Sequence, residues 1–430
     1  MGLRIKKKTL TKTAVVTILG LQGVKALENF EHQAYYSFEG EDGGCNYLNT
    51  LPLFMKKYHK KHTIIPISTV EAQKFNQEVL KKTDTTLLEH IEFNPEYVIK
   101  DEKDIDEIFK LYNTIFDRFD EVIVDVTHGF RHLPLLMIVE LIMQNFKSID
   151  KIKHIYFAKE IKKHTPFEKG EYEIIDLKEY VDIANISFIL TTFQNNFTVA
   201  NHIKSKKYEK LIDSLNNFSN DMMALSLNNL YNKSSKELIA ELKKVDALSI
   251  SKQADSLAEF IEKITTHDGK KRYITYFDLA KELAHKNYML IGLSLLYESV
   301  RLYIKTTMKK KQPVIVQKIE NYFKDDLYKI GDFFIKFKKD GLVYEKFIRN
   351  YKQLPLSRVE FAQLQYAFPK EMLEPKPFLV SNHKSQNIIE AIAYTRNNLA
   401  HANVNGNFND IKKGILDLLN RYERVYIKES

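Results

Sequence analysis

Apolar positions in the first 180 residues fall into short runs separated by stretches of helical period, as alternating strands and helices require. Thr13 to Leu19 and Thr63 to Ile67 are nearly continuous apolar or β-branched runs, the pattern of strands buried on both faces. Ala34 to Phe38 and Lys153 to Ala158 read as further strands, and Gly170 with Tyr172 to Leu177 as a last strand closing this half. Helical spacing runs through Leu48, Leu51, Phe54, Met55 and Tyr58 within Asn46 to Lys60. It returns through Ile105, Ile108, Phe109, Tyr112, Ile115 and Phe116. Repeated strand–helix units predict a mostly parallel α/β sheet with helices on both faces.

From about Tyr180 the pattern becomes helical only. It begins at Ile186, Phe188, Ile189, Leu190, Phe193 and Phe197, and continues through segments around Leu211 to Phe218, Leu225 to Tyr231, Leu238 to Leu248 and Leu257 to Ile264. His267-Asp268-Gly269 reads as a turn and a boundary. Beyond it come helices over Tyr276 to Ala284, Tyr288 to Lys311, Ser385 to Val404 and Ile411 to Tyr426, while Tyr322 to Tyr351, rich in lysine and aromatic residues, matches no pattern. The expected organisation is an α/β domain over 1–180, a helical connector over 181–268 and an all-helical domain over 269–430.

One stretch concentrates polar chemistry. Glu121 to Pro134 reads EVIVDVTHGFRHLP: a buried-strand run that breaks into Thr127, His128, Gly129, Phe130, Arg131 and His132 before a helix running to about Phe146. In open parallel sheets ligands bind beyond the carboxyl ends of the strands, where loops and helix N-termini offer backbone N–H groups. A hydroxyl, an imidazole, a glycine and a guanidinium at that end suit a phosphate. His128 and His132 are four apart and, with Asp125, could be taken for metal ligands, but Arg131 would repel a cation and no further ligand is near in sequence. No metal site is expected, and Asp125 is read as orienting the loop.

Composition narrows the class. The chain has 430 residues, a net charge of +9 and a single cysteine, Cys45. One cysteine leaves no intrachain disulfide, so a reducing, cytoplasmic setting is expected, and Cys45 beside two glycines reads as a loop thiol. The basic start followed by an apolar run resembles a signal peptide, but the run is short and ends in Gly20-Leu21-Gln22-Gly23, as a strand with a glycine turn would. The positive charge favours a polyanionic partner, and no segment is long and apolar enough to suggest a membrane span.

The helix over Ser385 to Val404 carries a second constellation, Arg396-Asn397-Asn398-Leu399-Ala400-His401. At about 100° per residue, Arg396 and His401 lie on faces roughly 140° apart, so one helix alone makes half a site. Two copies across a two-fold axis could bring both pairs into one cleft. Histidine can take a proton from a ribose 2′-hydroxyl near neutral pH, arginine can hold a phosphate through two N–H bonds, and the asparagine amides can orient it. Such parts suit metal-free RNA cleavage.

Asp125 to Pro134 closely resembles the signature of CRISPR-associated Rossmann-fold (CARF) sensor domains, and Arg396 to His401 resembles the catalytic motif of HEPN ribonucleases. In that order the pair resembles the CARF–HEPN ancillary ribonucleases of type III CRISPR systems. The resemblance implies a Rossmann-like sensor, a helical connector and an all-helical HEPN effector. It implies a homodimer, possible higher assembly, an RNA substrate and no cofactor, with cyclic oligoadenylate, tetra-adenylate favoured, as allosteric activator. Ligand-binding residues carried over are Gly20, Leu21, Gln22 and Gly23 after the first strand, and Thr127, His128, Gly129 and Arg131 after the signature strand, with Ser68 and Thr69 as further candidates. Catalytic residues carried over are Arg396 and His401, with Asn397 beside them. Two alternatives stay open: a cyclic-nucleotide-sensing regulatory protein that does not cut RNA, and a sensor that also degrades its ring.

Overall fold

The structure is a computed structural model. It describes residues 12–427 apart from 22–32, 39–40, 92, 130–131, 148–150, 166–167, 200–204, 206, 267–270, 340–343, 352, 375–386 and 402–406. The chain divides into two compact units. One comprises Met1–Phe193, Thr198–Asp213 and Val245–Gln253, the other Gln194–Phe197, Ser214–Lys244 and Ala254–Ser430. Residues 181–268 contribute to both.

The first unit is built on seven strands: β1 (Thr13–Ile18), β2 (Ala34–Phe38), β3 (Glu41–Tyr47), β4 (Thr63–Ile67), β5 (Glu121–Asp125), β6 (Ile152–Lys162) and β7 (Gly170–Asp176). Their order across the sheet is β3-β2-β7-β6-β5-β1-β4. β1 lies parallel to β4 and β5, β5 to β6 and β2 to β7, while β2–β3 and β6–β7 are antiparallel. Helices α1 (Leu51–Tyr58), α2 (Val70–Thr83), α3 (Ile105–Asp117), α4 (His132–Lys147) and α5 (Lys178–Asn196), the last as far as Phe193, belong to this half.

Strand alternation divides the apolar residues between two cores. Ala14, Val16, Ile18, Val122, Val124 and Val126 face Tyr112 and Phe116 of α3 and Met137 and Leu141 of α4. Val15, Leu19 and Ile123 face Leu51, Phe54 and Met55 of α1 on the other side. Thr17 and Asp125 share the parity of Val15 and Ile123, so they turn toward the α1 face.

Several expectations need correction. The helix expected from Asn46 begins at Leu51, because Glu41–Tyr47 forms β3, and Cys45 is a strand residue opposite Tyr36. The last strand of the half forms as expected, over Gly170–Asp176, and it lies inside the sheet between β2 and β6. Helix α2 had no counterpart in the sequence reading. The helix expected over Leu238 to Leu248 ends at Leu242, and the unassigned Tyr322 to Tyr351 region contains helices Leu327–Lys339 and Tyr344–Asn350. His267-Asp268-Gly269 lies outside the described residues.

The second unit is helical. Its helices include Arg272–His285, Met289–Lys311, Leu327–Lys339, Ile388–Ala400 and Phe408–Tyr422. The Ile388–Ala400 helix starts at a reciprocal cap: Glu390 N–H donates to Asn387 Oδ1 at 3.0 Å and Asn387 N–H to Glu390 Oε2 at 3.4 Å. This satisfies two N–H groups that would otherwise be orphaned. Among the described residues, no helix is long and apolar enough to cross a membrane.

Candidate functional site

The carboxyl ends of β1, β4 and β5 meet at a cavity of about 240 Å³. Leu19, Gly20, Leu21, Asn49, Thr69, Thr127, His128 and Gly129 contribute to its lining. Gly20 and Gly129 touch backbone to backbone: a Cβ on Gly20 would lie 2.9 Å from Gly129 N. Gly129 also holds φ at +100°, in the region that favours glycine. The N-terminus of α2 opens on the same cavity. Thr69 caps it, its hydroxyl accepting from Ala72 N–H at 3.3 Å, and both residues line the wall. Positive helix-end N–H groups beside close-packed glycine backbone give an anion a place to approach.

Buried polar residues fix the loops. Asp125 Oδ2 accepts from Thr17 Oγ1 at 2.9 Å and Thr50 Oγ1 at 2.7 Å, and its Oδ1 accepts from Thr127 N–H at 3.0 Å and Thr127 Oγ1 at 2.5 Å. Thr127 Oγ1 in turn accepts from Ala158 N–H of β6. His128 Nε2 accepts from Thr50 N–H at 3.2 Å, which assigns that nitrogen the bare lone pair of a neutral ring. Burial pushes the His128 pKa below its usual value, and the Asp125 carboxylate opposes this in part. Asn76 of α2 reaches under the first loop, donating Nδ2 to Gly20 O at 3.1 Å while its Oδ1 accepts from Asn49.

Of the residues expected here, Gly20, Leu21, Thr69, Thr127, His128 and Gly129 converge on the cavity. Ser68 does not: it is buried, and its carbonyl accepts from Ile99 N–H. Gln22, Gly23 and Arg131 lie outside the described residues. His132 points elsewhere, its Nε2 2.8 Å from Glu102 O. Among the described residues no three His, Cys, Asp or Glu side chains gather as metal ligands. Asn49, Thr50 and Asn76 escaped the sequence reading. For Asn76 a signal existed, since Ala72, Phe75, Asn76, Val79 and Leu80 follow helical spacing behind a threonine cap.

In the helical unit, Arg396 lines a cavity of about 450 Å³ with Arg272, Tyr276, Glu298, Arg301 and Tyr328 among its neighbours. Its guanidinium lies 5.1 Å from the centre of the Tyr297 ring, whose surroundings also include the Arg301 guanidinium at 4.7 Å. Arg301 is nearly fully buried, donating to Glu298 Oε1 at 2.8 Å and Asp332 Oδ1 at 3.3 Å. Burial pushes the Glu298 pKa up, against the pull of Arg301. His401 is exposed at the C-terminal cap of the same helix as Arg396 and is not part of that cavity's lining. Asn397 is also exposed. Within one chain, therefore, the two motif residues serve different surfaces.

No family model matches the chain. It is 27% identical over 163 residues to the CRISPR-associated protein MJ1674 of Methanocaldococcus jannaschii, an alignment covering 34% of this chain and 25% of the relative. The chain thus matches about a quarter of that relative's length, and the relative is named as CRISPR-associated. A solved structure, Enterococcus italicus Csm6 bound to cyclic hexa-2′-fluoro-hexa-dAMP, is 11% identical over 96% of this chain and 95% of that one, with a TM-score of 0.32.

Proposed function

We propose that this chain is a CARF–HEPN ribonuclease of type III CRISPR defence, switched on by a cyclic oligoadenylate. The cradle at the strand ends carries the sensor half of this reading. Gly20 and Gly129 meet backbone to backbone beside the N-terminus of α2, and at these two positions no side chain keeps ring phosphates from approaching N–H groups closely. Similarity to a CRISPR-associated relative supports the defence setting. Two sensor units would share one ring across a two-fold axis.

The effector half rests on Arg396 and His401. In a homodimer the exposed His401 of one protomer and the Arg396 of either could flank one phosphodiester. His401 takes the proton from the 2′-hydroxyl, the 2′-oxygen attacks phosphorus, and the P–O5′ bond breaks. The leaving 5′-oxygen takes a proton from a protonated His401, of the same protomer or the other, giving a 2′,3′-cyclic phosphate and a free 5′-hydroxyl. Arg396 balances the charge building on the phosphoryl oxygens, and Asn397 orients them. These steps use only side chains of the protein.

A second reading, RNA binding without cutting, is favoured by one observation: His401 and Arg396 do not line a common cavity. Ring degradation by the sensor has less support, because the Thr127 hydroxyl and His128 Nε2 already hold Asp125 and Thr50. The test is to incubate the full chain with labelled single-stranded RNA, with and without cyclic tetra- and hexa-adenylate, and with chelator. Ring-dependent cutting that chelator spares, lost in His401→Ala while ring binding persists, is the expected result. Cutting that survives His401→Ala removes this site, and RNA binding without cutting under either ring establishes the second reading.

A further inference from the structure

The cavity around Arg396 is larger than a catalytic arginine needs. At about 450 Å³ it falls within the size range of small-ligand sites, roughly 300–1,000 Å³. Its polar groups are of three kinds. Arg272 and Arg396 are cationic, and among the described residues neither has a carboxylate partner within salt-bridge reach; Arg272 instead donates Nε and Nη2 to Tyr276 Oη at 3.2 and 3.0 Å. Tyr328 is 62% exposed and rests on the Arg301 guanidinium, 4.3 Å from its ring centre. Glu298 engages Arg301 through Oε1 and remains partly exposed on the cavity wall.

Arg301 sets the geometry. It is 3% exposed, its guanidinium sits within cation–π distance of Tyr297 and Tyr328, and two carboxylates hold it. Its Nε is buried and has no hydrogen-bond partner among the described residues, a deficit that a ligand atom in the cavity could relieve. The result is an aromatic platform with an exposed ring, two arginines that among the described residues have no carboxylate within salt-bridge reach, and one carboxylate. Those parts match a nucleotide: stacking for the base, cations for the phosphate, and an acceptor that meets an amino group but not a carbonyl.

We propose that this cavity is a subsite for one RNA nucleotide beside the scissile phosphate, with the base on Tyr328, the phosphate on Arg272 and Arg396, and Glu298 selecting bases that carry an amino group over uracil. The proposal deepens the ribonuclease reading and rests on it only for the position of the scissile bond. Uracil has no exocyclic amino group and offers a carboxylate only its ring N3–H, flanked by two carbonyl oxygens that repel the charge, so it would pair less well with Glu298 than adenine, cytosine or guanine.

The experiment is fluorescence anisotropy with the full-length His401→Ala protein and labelled tetranucleotides of A, C, G or U. Oligomers of A, C and G are expected to bind several-fold more tightly than U. Tyr328→Leu should weaken all four, by roughly 5- to 150-fold if one base stacks on the ring, and Tyr328→Phe should restore them. Glu298→Gln should bring the amino-base preference toward one, because an amide also donates. Asp332→Asn, which loosens Arg301 from outside the cavity, should leave that preference intact and so controls for disturbance of the arginine. Equal binding of U and the amino bases, or a silent Tyr328→Leu, overturns the proposal. Base-selective binding in a wild-type chain that never cuts RNA would leave the subsite standing and remove the nuclease reading. Cutting with base-blind binding would do the reverse.

Discussion

Replacing Gly129 by alanine tests the strand-end cradle directly. Gly129 holds φ at +100°, where an L-residue costs about 1–2 kcal/mol more than glycine. The new Cβ would also stand 2.6 Å from Ile18 Cγ2 and 3.6 Å from Leu133 Cδ1. Ile18 is fully buried in the sheet, so it cannot swing aside, and overpacking of this kind costs about 1–3 kcal/mol. Together the two terms predict about 2–5 kcal/mol of destabilisation in the α/β unit. At about 2–4 °C per kcal/mol for a domain of this size, its transition should fall by roughly 4–20 °C. Calorimetry reads the transition, and hydrogen exchange at the β1 and β5 amides assigns it to this unit. A double-mutant cycle with Ile18→Ala separates the two costs. With Cγ2 gone, about 1–3 kcal/mol of the Gly129→Ala penalty should disappear, while the backbone part remains. An unchanged melting profile, or a cycle without coupling, would refute the account of how the two glycines shape the site.

Two further substitutions probe the supports of the same loops. Asn76→Leu should leave Gly20 O and Asn49 Nδ2 without their partner, costing about 1–3 kcal/mol for each buried group left unpaired; calorimetry should register the loss, and ring affinity should fall with it. His128, held below its usual pKa by burial, binds fewer protons folded than unfolded, so its contribution to stability is full above about pH 6.5 and is lost as pH falls from there toward the folded pKa. The wild-type melting temperature should therefore decline on acidification through that window, at up to about 1.4 kcal/mol per pH unit, and His128→Gln should flatten the decline.

How far the sequence revealed the fold depended on how each element is buried. β1 and β5 were legible because both faces are covered, so the whole run is apolar, and alternate residues feed the two cores. β3 was not. Its sequence EDGGCNY has no apolar alternation, and it holds to β2 at one end of the sheet by backbone pairing, which no side-chain pattern announces. Helix α2 was missed for a different reason: VEAQKFNQEVLKKT looks polar until Ala72, Phe75, Asn76, Val79 and Leu80 are placed on one face. The Leu327–Lys339 helix hid its stripe in the same way, with Ile330, Phe333, Phe334 and Phe337 buried among lysines.

The two candidate sites differ in legibility because they are assembled over different distances in sequence. At the strand ends the backbone chemistry is local: Gly20 follows β1, Thr69 follows β4, and Thr127 to Gly129 follow β5, so recognising a parallel strand already locates each loop. Only the second layer is non-local, since Thr50 reaches Asp125 from the start of α1 and Asn76 reaches Gly20 from a face of α2. The helical cavity inverts this. Helical geometry correctly separates Arg396 from His401, but it is silent about the partners of Arg396, because Arg272, Glu298, Arg301 and Tyr328 come from three other helices. No spacing rule couples residues brought together by helix packing. An Arg-x4-His motif can therefore nominate a cutting pair but cannot describe what lies against its arginine, and that neighbourhood is where any preference for one base over another would have to reside.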